Sequence, residues 1–199
     1  MIARLSLGVM ACVGVIFVSA CSSGDGSSGD GGSAGSTSQG GTGGTGNSAD
    51  PFDANRVACV KKINDYRATK GLPALARWTE AELCVDQQAS EDSMTMTAHG
   101  AWIGGKYTCN GAGQNECPGW GADGIEACLD SMWGEGSQTA CAGCDACNDG
   151  YNPDCPNCDF YGQQSGMTCG HYANMIAKYV TKVACGFSAQ GGWDAINFE

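Results

Sequence analysis

The chain has 199 residues, with 10 basic against 21 acidic side chains, two histidines and 14 cysteines. Its net charge of −11 argues against a nucleic-acid partner, because an acidic surface is repelled by phosphates; the charge serves solubility instead. The length suffices for one domain with a real hydrophobic core besides accessory segments.

At the start, Arg4 supplies a positive charge ahead of a short apolar run from Leu7 to Val18. That run is shorter than the roughly 20 residues of a membrane-spanning helix, and Ser19 and Ala20 are small, so residues 1–20 are predicted to be an export signal. Val18-Ser19-Ala20-Cys21 resembles a bacterial lipobox. The resemblance implies that Cys21 is lipidated and begins the mature chain, and that Ser22 directs it to the outer membrane or cell surface. Several acyl chains, at ~0.8 kcal/mol per buried methylene, would anchor it firmly. Residues 21–50 are otherwise nearly all Gly, Ser, Thr, Asp and Ala, which predicts a disordered tether with a reach of about 30 Å. Without Arg4 the chain keeps nine basic and 21 acidic residues, a net charge of −12.

Residues 51–199 then form the working domain. Loss of Cys12 with the signal and use of Cys21 for lipid leave twelve cysteines, from Cys59 to Cys185. In an exported protein an even set reads as disulfides, up to six, whose pairing spacing alone does not give. A thiolate zinc site at Cys141, Cys144, Cys147, Cys155 and Cys158 is the rival reading, and export disfavours it.

Asp53 or Asn55 is predicted to cap a first helix with a stripe of Val57, Val60, Ile63 and Tyr66, ending near Gly71 and Pro73. Thr79 and Glu82 form a Thr-x-x-Glu capping signature for a second helix carrying Leu83, Val85, Ala89 and Met94 or Met96 toward His99. Residues 104–121 read as loop. Asp123 and Glu126 open a third helix through Ile125, Cys128, Leu129 and Met132, with Trp133 at its end. Residues 137–168 lack periodicity and read as a cysteine-stapled insertion. Residues 182–188 and 192–198 alternate around Val183, Cys185 and Phe187, which suits a hairpin joined by Gln190 and Gly191. Helices first and strands last predict an α+β class.

Several of these segments together resemble the CAP superfamily, which includes cysteine-rich secretory proteins, plant pathogenesis-related proteins and bacterial SCP-domain proteins. The similarity is carried by Ile63-Asn64-Asp65-Tyr66-Arg67 with Leu72-Pro73, Leu75 and Trp78; by Gly113-Gln114-Asn115; by Trp133 and Glu135; by Gly170-His171-Tyr172-Ala173-Asn174; and by Val183-Ala184-Cys185-Gly186. It implies a three-layer α-β-α sandwich around a central antiparallel sheet, with a cleft at His99, Gln114, Glu135 and His171. His99, Glu135 and His171 are the implied ligands of zinc or another divalent cation. Gln114 stands where the family carries a carboxylate, so hydrolysis loses a candidate group. Trp102, Trp120 and Tyr151 are candidates for the cleft wall. The expected function is a non-enzymatic binding module for a small apolar ligand or a partner protein; a metal-assisted hydrolase and a purely structural surface lipoprotein are the alternatives.

Overall fold

The computed structural model describes residues 50–150, 152, 154–166 and 168–199; the signal, Cys21, the tether through residue 49 and Tyr151 lie outside them. The first helix, α1 (Asp53–Thr69), is entered through Asp50, whose carboxylate accepts the Phe52 N–H at 2.9 Å. Its buried face is Arg56, Cys59, Ile63 and Arg67; of the expected stripe Ile63 is buried, Val60 and Tyr66 pack partly buried against the core, and Val57 is left 51% exposed. Charge matching makes this face buriable. The Arg56 guanidinium is gripped by Asp50 and Asp86, each at 2.7 Å, and Arg67 donates to the carbonyls of Pro73, Met175 and Ala177 at 2.8–2.9 Å.

After the two-residue strand β1 (Ala76–Arg77), helix α2 (Thr79–Thr95) begins without the expected capping box. Glu82 turns instead to Arg77, whose Nη2 donates to it at 2.9 Å, since a charged partner outcompetes a backbone amide. The short helix α3 (Gly100–Ile103) follows, and α4 (Ile125–Gly134) buries Ile125, Cys128, Leu129 and Met132, as its spacing predicts. Helix α5 (Gly170–Ile176) was not legible beforehand.

The expected hairpin forms from β3 (Lys182–Phe187) and β4 (Trp193–Phe198). The stretch read as loop contains an edge strand, β2 (Gly113–Pro118), which pairs antiparallel with β4 from Gly113 opposite Phe198 to Pro118 opposite Trp193. Strand order is β1-β3-β4-β2, and β1 runs parallel to β3, so the sheet is mixed, not wholly antiparallel. The fold is α+β.

Alternation along β3 and β4 splits the core. Val183, Cys185, Phe187, Ile196 and Phe198 pack with α1 and α4 through Ile63 and Leu129, whereas Ala184 and Ala195 meet Ala81, Val85 and Ala89 of α2. That second contact is close. A Cβ built on Gly186 would lie 2.4 Å from the Val85 carbonyl carbon and 2.6 Å from the Asp86 nitrogen. Gly186→Ala must therefore push α2 off the sheet; overpacking of this kind costs about 1–3 kcal/mol. A thermal-melt midpoint unchanged from wild type would disprove this.

All twelve domain cysteines are paired: Cys59–Cys185, Cys84–Cys109, Cys117–Cys128, Cys141–Cys169, Cys144–Cys158 and Cys147–Cys155. The Cys-x-x-Cys segments are thus disulfide-bonded, not zinc ligands, and six disulfides belong to an oxidising environment. Among the described residues no helix is long and apolar enough to cross a membrane.

Candidate functional site

His99 lies between α2 and α3 with a left-handed backbone, φ 60°. Two buried carboxyls fix this segment from below. Glu116 accepts the His99 N–H at 2.8 Å and the Trp193 indole N–H at 3.1 Å, while Asp92 accepts the Ala101 N–H at 2.7 Å. Burial foremost, and then the hydrogen bond with Asp92, push the Glu116 pKa up to about 8, so Glu116 keeps its proton at neutral pH.

The His99 ring is set by amides. Its Nδ1 lies 2.9 Å from Gln114 Oε1. Gln114 Nε2 donates to Asn197 Oδ1 at 2.9 Å and Gln88 Oε1 at 3.3 Å, which turns its oxygen toward the imidazole. Gln88 Nε2 donates in turn to Asn110 Oδ1, and Asn110 Nδ2 to the Trp102 carbonyl, so every donor in the network meets an acceptor. Nδ1 of His99 therefore carries the proton. A neutral amide oxygen accepts it.

His171, the second residue of α5, is oriented by Glu135, whose Oε1 lies 2.6 Å from Nδ1. Glu135 Oε2 accepts the Tyr172 N–H at 3.1 Å. Both oxygens are thus engaged. A carboxylate behind an imidazole fixes the Nδ1–H tautomer and leaves Nε2 as the available atom. Asn115 and Asn174 tie α5 to β2: Asn115 Nδ2 donates to the His171 carbonyl at 3.0 Å, and Asn174 Nδ2 donates to Asn115 Oδ1 at 2.9 Å.

His99, Gln114 and His171 line one cavity of about 600 Å³, and Glu135 stands behind His171, outside the lining. Trp102 joins the wall as expected. Trp120 does not; it is 47% exposed and packs near the Gly124 turn. Much of the remaining wall comes from the stapled insertion and the chain after α5: Phe160, Tyr161, Thr168 and Tyr179. Asp159 builds this wall, its carboxylate accepting the N–H groups of Gln163, Gln164 and Ser165 at 2.6–2.9 Å, which hold its pKa below the usual carboxylate range. Sequence reasoning passed over Asp159, although an acidic residue ahead of Gly162, Ser165 and Gly166 is a turn-forming signal.

No family model matches the chain, and no curated protein matches it either.

The cavity is chemically simple. Among the described residues no Asp, Glu, Lys or Arg lines it. Its polar groups are the two imidazoles, Gln114, Asn174, Thr168 and the hydroxyls of Tyr161 and Tyr179, and the larger part of its surface is apolar. With both Nδ1 atoms protonated, each Nε2 carries a lone pair. Nε2 is also the atom through which such an imidazole would bind a metal ion. A set of three protein ligands is not seen among the described residues.

Proposed function

We propose that this is an exported, lipid-anchored domain of CAP-like type whose cavity binds a small apolar molecule without catalysing a reaction. The observation that carries the reading is the shared cavity: two histidines 72 positions apart, from opposite ends of the domain's chain, face an enclosure walled by Trp102, Phe160 and Tyr161. Binding sites of this size are typically apolar with a few convergent polar groups. A divalent cation such as zinc, where bound, would be held by Nε2 of His99 and His171, with Glu135 orienting His171; it would supply positive charge for a polar part of the ligand. Glu135 is poorly placed as a general base, since its oxygens serve His171 and the Tyr172 amide. The six disulfides agree with a place outside the cytoplasm, and Cys21 would supply the anchor.

The neutral dye Nile red tests the reading. The domain is expected to take it up at one equivalent, and Trp102→Ala to weaken uptake about tenfold, while ester and peptide hydrolysis stay at background. Absence of uptake overturns the binding module; hydrolysis that is lost in His171→Ala establishes the metal-assisted hydrolase in its place.

A further inference from the structure

The cavity's ligand can be specified further from the hydrogen positions on its wall, an argument that rests on the binding-module reading. We infer that the cation-free cavity selects a flat, uncharged molecule bearing a hydroxyl group, a phenol in chemical class, whose O–H donates to an imidazole Nε2.

Three observations converge. The first is tautomeric. Gln114 Oε1 and Glu135 Oε1 are acceptors that occupy the two Nδ1 positions at 2.9 and 2.6 Å, and the Gln88–Asn197 amides fix the sense of Gln114. Each neutral ring therefore offers Nε2 as an acceptor only. A ligand hydroxyl can supply the proton that either Nε2 accepts.

The second is charge. No basic side chain lines the cavity among the described residues, and the chain carries 21 acidic against 10 basic groups. A carboxylate or phosphate head would lose its hydration and find no cation. An ammonium fares no better, because no carboxylate lines the cavity either.

The third is shape. Trp102, Phe160, Tyr161 and Tyr179 supply planar faces, and aromatic surfaces favour stacked or edge-on aromatic partners. Tyr161 and Tyr179 remain 62% and 39% exposed, so part of this aromatic wall reaches the surface.

The test compares 1-naphthol, naphthalene and 1-naphthoate by equilibrium dialysis at pH 8 with chelator-treated protein. Naphthol is expected to bind at least tenfold more tightly than the other two. His171→Ala and, separately, His99→Asn, whose asparagine tolerates the left-handed backbone, should each lower the naphthol-to-naphthalene affinity ratio at least threefold. Because the chain has two histidines, nitrogen-15 spectra of the imidazoles give a second readout. Both Nε2 atoms should appear unprotonated, and at least one should shift on naphthol addition. Naphthalene or naphthoate binding as tightly as naphthol overturns the hydroxyl assignment and leaves the apolar binding module standing, as do Nε2 atoms that prove protonated. Failure of all three compounds to bind overturns the binding module itself.

Discussion

Replacing Cys59 and Cys185 together by alanine is expected to remove about 5 kcal/mol of stability, the largest loss of any single cross-link deletion in the domain. The pair joins α1 to β3 across 126 residues, and the entropy withdrawn from the unfolded chain grows with the logarithm of the loop. Cys117–Cys128 closes only 11 residues, and its removal should cost about 3 kcal/mol. Both cystines are buried in the same core, so surroundings do not decide the ranking. Guanidinium unfolding of the two double variants checks it. Equal losses, or a larger loss at Cys117–Cys128, would show that native packing outweighs loop closure.

A second large effect comes from pH. Glu116 and Asp194 are buried carboxyls whose pKa values rise to about 8 and about 7, in both cases first of all through burial. Asp194 finds no hydrogen-bond partner for either oxygen among the described residues. The folded state holds protons that the unfolded chain, with ordinary values of 4.5 and 3.8, releases near pH 4. The two contributions are fully present below that range and are lost as pH rises through 7 and 8. Between pH 5 and 7 the slope should approach, as an upper limit, about 1.4 kcal/mol per pH unit for each group. Asp50 and Asp130, held low mainly by Arg56 and Lys62, act oppositely but only in more acid solution. Urea midpoints from pH 5 to 9 should therefore fall, and Glu116→Gln and Asp194→Asn should each flatten the decline. A wild-type slope in both variants would refute this account.

Much of the scaffold was legible because its residues follow one period. Helix α4 buries every third or fourth residue, and in the β3–β4 hairpin large apolar side chains alternate with small or polar ones. Strand β2 escaped because Gln114, Asn115 and Glu116 are buried polar residues, satisfied by partners distant in sequence. Polar partnering also hid the inner face of α1, where Arg56 and Arg67 are buried beside Cys59 and Ile63, and the start of α2, where the nearby Arg77 claims Glu82. Buried polar side chains of this kind leave no apolar period to read. At the cavity, the two histidines stood out by their scarcity and motif positions. The parts contributed by Phe160, Tyr161 and Asp159 did not, since a loop held by cystines and one carboxylate has no periodicity to read.

The reach of Cys59–Cys185 has a consequence for survival in a hostile medium. The other five cystines lie within the span it encloses. A protease that nicks any exposed turn between these two residues therefore sheds no fragment, and the severed halves stay covalently joined until a reductant arrives. Only the stretch before Cys59 and the tail after Cys185 can be clipped away, and that tail is held in the sheet by the buried strand β4.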